Sequence, residues 1–208
     1  MTVTFSILVL ASALIAVRAE HKGFRRQVYV FKPLTLVLVV LVALQGAHKM
    51  SGTYMALVVA GLACSLAGDV LLMLPRERFV AGLVSFLFAH LFYIAAFTLG
   101  GARVNGWALA ALVLYGALML GLLWARLGGL KAPVAVYVAV ILLMALQASG
   151  RWLAGGSHGA PLAALGSWLF LVSDSALAVN RFRGEFRGAK ILTLSTYFVA
   201  QWLIALST

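Results

Sequence analysis

Gly61-Leu62-Ala63-Cys64-Ser65-Leu66-Ala67-Gly68-Asp69-Val70-Leu71-Leu72-Met73-Leu74 closes a run over residues 54–74 in which Asp69 is the only charged side chain. A helix needs about 20 mostly apolar residues to cross a bilayer, and this run supplies them. Seven further runs have the same character, at residues 2–17, 28–46, 79–99, 105–125, 132–150, 159–179 and 189–206. Strand alternation is absent, which argues against a membrane barrel. The expectation is an all-α polytopic membrane bundle of eight transmembrane helices. With about seven residues left per connection, residues 1–208 read as a single transmembrane domain.

Composition agrees with that reading. The 208 residues are 64% hydrophobic and 10% charged, with a mean hydropathy of +1.07. A soluble domain is about 45–50% apolar and about 25% charged, so disorder, a disulfide scaffold and a soluble α/β enzyme are excluded. A single cysteine, Cys64, allows no internal disulfide. Val17-Arg18-Ala19 resembles a weak signal-peptide cleavage site, but no positive residue precedes the first apolar run, which favours a retained helix.

The formal charge of +11 is a topology signal rather than a nucleic-acid signal. Of 16 Lys and Arg, 12 fall in connections after odd-numbered spans: Arg18, Lys22, Arg25, Arg26, Arg76, Arg78, Arg126, Lys131, Arg181, Arg183, Arg187 and Lys190. The other side has Lys49, Arg103 and Arg151, and Lys32 stands at the start of span 2. The positive-inside rule then places odd connections in the cytoplasm and both termini on the non-cytoplasmic side. The expected location is a bacterial cytoplasmic (inner) membrane, with the basic side facing anionic lipid headgroups.

The two halves carry a hint of duplication. Lys32-Pro33 opens span 2 and Lys131-Ala132-Pro133 opens span 6; Gly68-Asp69 lies late in span 3 and Ser173-Asp174 late in span 7. Four helices per half would make the halves parallel repeats.

Three of the five acids, Glu20, Glu77 and Glu185, sit in connections among Arg and Lys. Asp69 and Asp174 sit inside spans, where a carboxylate costs at least ~2.5–3.5 kcal/mol and must face an interior or a wet cavity. Each precedes its expected cytoplasmic boundary (Pro75, Asn180) by a stretch of about 9 Å of helix, so they are expected at one depth. Other polar side chains can join them. Tyr29 and Lys32 stand at the start of span 2, and Ser65 lies one turn from Asp69. Phe86, His90, Tyr93 and Phe97 share a stripe on span 4, and Thr193, Tyr197 and Gln201 one on span 8. His90 and Gln201 are expected at a cavity floor, Asn180 and Arg181 at its mouth. Plainer roles compete: Lys32 can snorkel to headgroups, and the tyrosines can simply pack. No Cys/His spacing suggests a metal site and no nucleophile motif occurs.

The fragment 61–74, followed by Phe79-Val80-Ala81-Gly82-Leu83, Ala89-His90-Leu91-Phe92-Tyr93, Ser173-Asp174-Ser175-Ala176-Leu177-Ala178-Val179-Asn180-Arg181-Phe182 and Thr196-Tyr197-Phe198-Val199-Ala200-Gln201, resembles the lysoplasmalogenase family, the YhhN-like multi-pass membrane proteins. The resemblance covers most of the chain from Lys32-Pro33 onward. It implies eight spans and hydrolysis of the vinyl-ether bond of lysoplasmalogens, releasing a fatty aldehyde and glycerophospho-ethanolamine or -choline. It also implies that Asp69 and Asp174 are the acidic pair of the site.

Such a bond opens by protonation of its outer alkene carbon, which leaves an oxocarbenium ion; water then adds to the carbon bearing oxygen. Two carboxyls can divide the acid and ionised roles, as in glycoside cleavage through a related cation. Neither metal nor organic cofactor is needed. Lys32 or Arg181 would bind the lipid phosphate, and Phe86, Phe92 and Phe97 would line the tail. The expected partners are a lysophospholipid substrate and membrane lipids, with no obligate protein partner. A different class of function uses the same residues: a proton- or cation-coupled transporter or flippase, with the acids as relays between two halves.

Overall fold

The computed structural model describes residues 2–46, 51–74, 78–99, 101, 104–156 and 159–208. Lys49, Arg76, Glu77 and Arg103, counted above among the connection charges, lie outside these residues. The described chain forms eight α-helices and no strand: α1 (Thr2–Lys22), α2 (Arg25–Leu44), α3 (Gly52–Met73), α4 (Phe79–Thr98), α5 (Gly106–Leu123), α6 (Lys131–Leu153), α7 (Ala160–Phe182) and α8 (Ala189–Leu206). Two short 3-10 turns, Trp124–Arg126 and Gly128–Leu130, join α5 to α6. Each helix is long and apolar enough to cross a bilayer, so the chain is a multi-pass membrane protein.

Local chemistry sets several helix ends. Ser51 Oγ accepts from the Tyr54 amide at 3.3 Å, and Asn105 Oδ1 accepts from the amides of Trp107 and Ala108 at 3.0 and 3.1 Å. Gly23, at φ +74°, makes the left-handed turn that separates α1 from α2.

Three boundaries differ from the sequence reading in ways that matter for the site. Lys32 and Pro33 do not open α2; they lie two turns inside it, because the basic stretch from Arg25 is itself helical. α7 continues through Asn180 and Arg181 to Phe182, so these polar residues sit on a helix and not in a connection. Asp69 therefore stands about 6 Å of helix before the end of α3 and Asp174 about 12 Å before the end of α7. α6 likewise extends to Leu153 and buries Arg151, whose guanidinium lies 4.3 Å from the centre of the Tyr54 ring.

The helices pack in the order α1, α2, α3, α4, α6, α7, α8 and back to α1. α8 also packs on α2 and touches α3, while α5 lies outside against α6 with a lighter contact to α7. The pairings α1/α2, α2/α3 and α3/α4 recur as α5/α6, α6/α7 and α7/α8, and the cross-contact α4/α6 has its counterpart in α8/α2. This is the arrangement expected of two parallel four-helix repeats. One correspondence is broken. α1 packs on α8, whereas among the described residues α5 has no comparable packing on α4. At the α3/α4 contact the chain approaches closely over Gly68, where an added Cβ would come within 2.7 Å of the Phe86 ring.

The charge bias predicts that the end carrying Gly23, the 3-10 turns and residues 183–188 is cytoplasmic. In a Cys64→Ala background, Val104→Cys should react with a membrane-impermeant maleimide on intact cells, and Arg183→Cys only after permeabilisation. The reverse labelling would invert the topology.

Candidate active site

Asp69, on α3, is 2% exposed and has a full set of partners. Lys32 Nζ of α2 donates to its Oδ1 at 2.9 Å, and the Tyr197 hydroxyl of α8 donates to its Oδ2 at 2.7 Å. Lys32 therefore does not snorkel away to headgroups. Its ammonium is held by the acid, which offsets the cost of placing either charge at depth.

Asp174, on α7, has a different environment. The Tyr137 hydroxyl of α6 donates to its Oδ2, and His90 Nε2 of α4 lies 4.0 Å from the same oxygen. The two acids are thus served by corresponding helices of the two halves: α2 and α8 for Asp69, α6 and α4 for Asp174. Between them runs a column of rings. Tyr197 lies 5.5 Å from Phe170 and Phe170 lies 4.8 Å from His90, both edge-on, and Phe86 contacts Phe170 and Tyr197 from the side.

Two cavities lie near the acids and share a wall. The larger, about 500 Å³, opens beside the helix ends and is lined by Lys32 and Tyr29 together with Arg25, Asn180, Arg181 and Lys190. It is a basic vestibule, and its volume falls in the usual range for a small-ligand site. Across its rim Lys190 Nζ pairs with Glu20 at 3.2 Å. Arg181 packs its guanidinium 5.0 Å from the centre of the Phe79 ring. Asn180 Oδ1 accepts from the Phe186 amide at 3.3 Å, so its carbonyl is partly committed to shaping the connection that follows α7. The smaller cavity, about 70 Å³, is an apolar slot between α4, α5, α6 and α7. Asp174 and Tyr137 face it, with Leu83, Phe86, Met119 and Val138 among its walls. Leu72, Phe79 and Leu177 line both cavities and so form the partition between them.

Other expected site residues form a separate layer. The Tyr93 hydroxyl donates to Gln201 Oε1 at 2.7 Å, and Ser65 is buried on the same side of α3. His90 and Gln201 line neither cavity: His90 is enclosed by Tyr137 and Phe170, and Gln201 is engaged by Tyr93. The expectation that they form a cavity floor is corrected accordingly. Phe97 is also not a tail-lining residue. It stacks on Tyr93, 6.2 Å between centroids, and Phe86 alone of the three expected phenylalanines reaches the slot. The residues the sequence reading missed are Tyr137, Phe170 and the hydroxyl pair Tyr115–Ser175 at 2.6 Å. The signal for Tyr137 was present in the internal repeat, because α6 is the counterpart of α2 and Tyr137 is its only tyrosine. No cluster of three or more His, Cys, Asp or Glu that could hold a metal occurs among the described residues.

These features define a class: an eight-helix membrane protein whose interior carboxyls adjoin a basic vestibule and an apolar slot. Residues 27–208 match the profile of the YhhN family, and the chain belongs to that family. The uncharacterized membrane protein YhhN of Escherichia coli O6:H1 is 33% identical over 202 residues, covering 97% of this chain and 96% of that protein. A pig protein named lysoplasmalogenase TMEM86B is 35% identical over 170 residues, 80% of this chain and 70% of its own length. Human lysoplasmalogenase TMEM86A is 38% identical over 153 residues, 71% of this chain and 62% of its own length. No solved structure matches the chain.

The Lys32–Asp69 pair should be coupled in stability. Lys32→Met alone leaves a buried carboxylate without its cation and should cost about 3–5 kcal/mol. Lys32→Met with Asp69→Asn should recover most of that loss in thermal unfolding in detergent. Additive losses in the double variant would contradict the pairing.

Proposed function

We propose that this protein is a membrane-embedded hydrolase that cleaves the vinyl-ether bond of lysoplasmalogens, releasing a fatty aldehyde and glycerophospho-ethanolamine or -choline. The observation that carries this reading is the partition of Leu72, Phe79 and Leu177, with a basic chamber on one side, where Lys32 is paired with the buried Asp69, and on the other an apolar slot faced by Asp174. A lysophospholipid has the same polarity profile. Its phosphate suits Lys32, Arg181 and the other cations of the vestibule, and its chain suits the slot. The alkene, at the junction of head and tail, then lies at the partition. The relatives named lysoplasmalogenase support the same substrate class.

In this scheme Asp69 and Asp174 are the catalytic carboxyls, and Tyr197 and Tyr137 orient them. Tyr29, Asn180 and Arg181 shape the headgroup chamber. His90, Ser65, Tyr93 and Gln201 support the site from the interior layer. The chemistry requires a proton donor, a stabilised cation and a water molecule, all of which side chains and solvent can supply without a metal or organic cofactor. The protein acts as one transmembrane domain in the inner membrane, with its vestibule open to the cytoplasm.

Detergent-purified protein should release aldehyde from a lysoplasmalogen in the presence of a chelator. Asp69→Asn and Asp174→Asn should each lower turnover by about 10²–10⁴-fold, the range for loss of an acid or base, while the protein elutes as a folded species. Near-wild-type turnover in either variant would refute the acid pair. Proton-coupled uptake into liposomes without hydrolysis, lost in the same variants, would identify a transporter instead.

A further inference from the structure

We infer that Asp174 is the group that delivers the proton to the outer alkene carbon, with the first carbons of the substrate chain held in the slot between α4 and α5, and that Asp69, paired with Lys32, takes the ionised role. This inference rests on the hydrolytic reading above and assigns within it what the resemblance leaves open. Three independent features carry it.

The first is access. The Asp174 side chain is 16% exposed and faces the slot, whereas Asp69 is 2% exposed and lines neither cavity. The second is charge. Asp69 accepts from an ammonium at 2.9 Å and a phenol at 2.7 Å, both of which favour its anionic form. Asp174 is faced by the neutral hydroxyl of Tyr137, with His90 Nε2 at the outer limit of an ion pair, 4.0 Å away. The third is direction. In a vinyl ether the carbon to be protonated lies on the chain side and the carbon bearing oxygen on the head side. The acid on the slot wall faces the former.

The slot lies where the repeat is broken. α1 is packed on α8, but α5 is not packed on α4. At about 70 Å³ the slot is too narrow for a whole alkyl chain. It takes the first carbons, and the remainder runs out between α4 and α5 into the bilayer. The step balances within the site. The Asp174 carboxyl gives its proton to the outer carbon as the alkene π pair forms the new C–H bond, leaving the oxocarbenium ion. Water adds to the carbon bearing oxygen and returns a proton to the Asp174 carboxylate. The hemiacetal then breaks its C–O bond, its hydroxyl proton passing to the departing glycerol oxygen. Tyr137 is a positioning residue that fixes the carboxyl against the slot.

The test has two arms. In the first, a saturated 1-O-alkyl glycerophosphocholine with a diazirine on its third chain carbon is photolysed with the purified protein and the labelled residues are mapped. Label should concentrate on Tyr137, Asp174 and Ser175. Label on Thr193, Leu194 and α2, or spread evenly over the lipid-facing surface, would overturn the inference. In the second arm, Asp174→Asn should lose about thousandfold in kcat while still being labelled, and Tyr137→Phe should lower kcat about tenfold with KM unchanged. Asp174→Asn that keeps more than about a tenth of wild-type kcat would overturn the assignment, as would Tyr137→Phe acting on KM alone. Should Asp174→Asn fail to fold, the label map and Tyr137→Phe still decide. A wild-type protein that releases no aldehyde refutes the hydrolytic reading itself, whereas aldehyde release with label elsewhere refutes only the role given to Asp174.

Discussion

A carboxylate inside an apolar helix bundle must be answered by a cation or by hydrogen bonds, and the interior of this protein is organised around that demand. At Asp69 the answer is a direct ion pair with Lys32 reinforced by Tyr197, which ties α3 to α2 and α8. At Asp174 it is the Tyr137 hydroxyl, which ties α7 to α6. The rings of Tyr197, Phe170 and His90 fill the space between, so the acids share one apolar block while their electrostatic surroundings differ. Six helices, α2, α3, α4, α6, α7 and α8, supply the two acids and their partners.

That asymmetry matters more than the presence of two acids. Corresponding helices of the two halves supply corresponding partners, yet lysine in one half is matched by tyrosine in the other, and tyrosine by histidine. A lysine partner favours the anion at one acid, whereas a tyrosine hydroxyl is the hydrogen-bond partner of the other. The halves differ also in packing: α5 is not packed on α4 as α1 is on α8, and the slot lies beside the second acid. A structural duplication thus provides a way to place two chemically distinct carboxyls in one bundle.

Much of this was legible in the sequence because the bilayer imposes length and polarity on every span. The eight runs, and the isolation of Asp69 and Asp174 within two of them, follow from hydropathy alone. Lys32 as the partner of Asp69 was not legible, since a lysine near a helix start is equally suited to headgroups, and only the helical extension of the basic stretch from Arg25 places it two turns deep. The end of span 7 was misjudged for a related reason: Asn180 and Arg181 look like a boundary, but the α7 backbone continues through them. Tyr137 escaped notice because a tyrosine in an apolar run reads as packing. Phe97, assigned to the tail by its stripe, turned out to serve the Tyr93 layer, because helical periodicity specifies a face but not which neighbour that face meets.

The central claim is that a side chain on one wall of the slot protonates the outer alkene carbon of a vinyl ether. The most direct measurement is turnover of a lysoplasmalogen in deuterium oxide, with the aldehyde reduced as it forms and its second carbon examined for isotope and configuration. The account predicts one deuterium at that carbon, in a single configuration, because the donor stands on one face of a held alkene. Aldehyde without deuterium there, or with both configurations in equal amount, would contradict it.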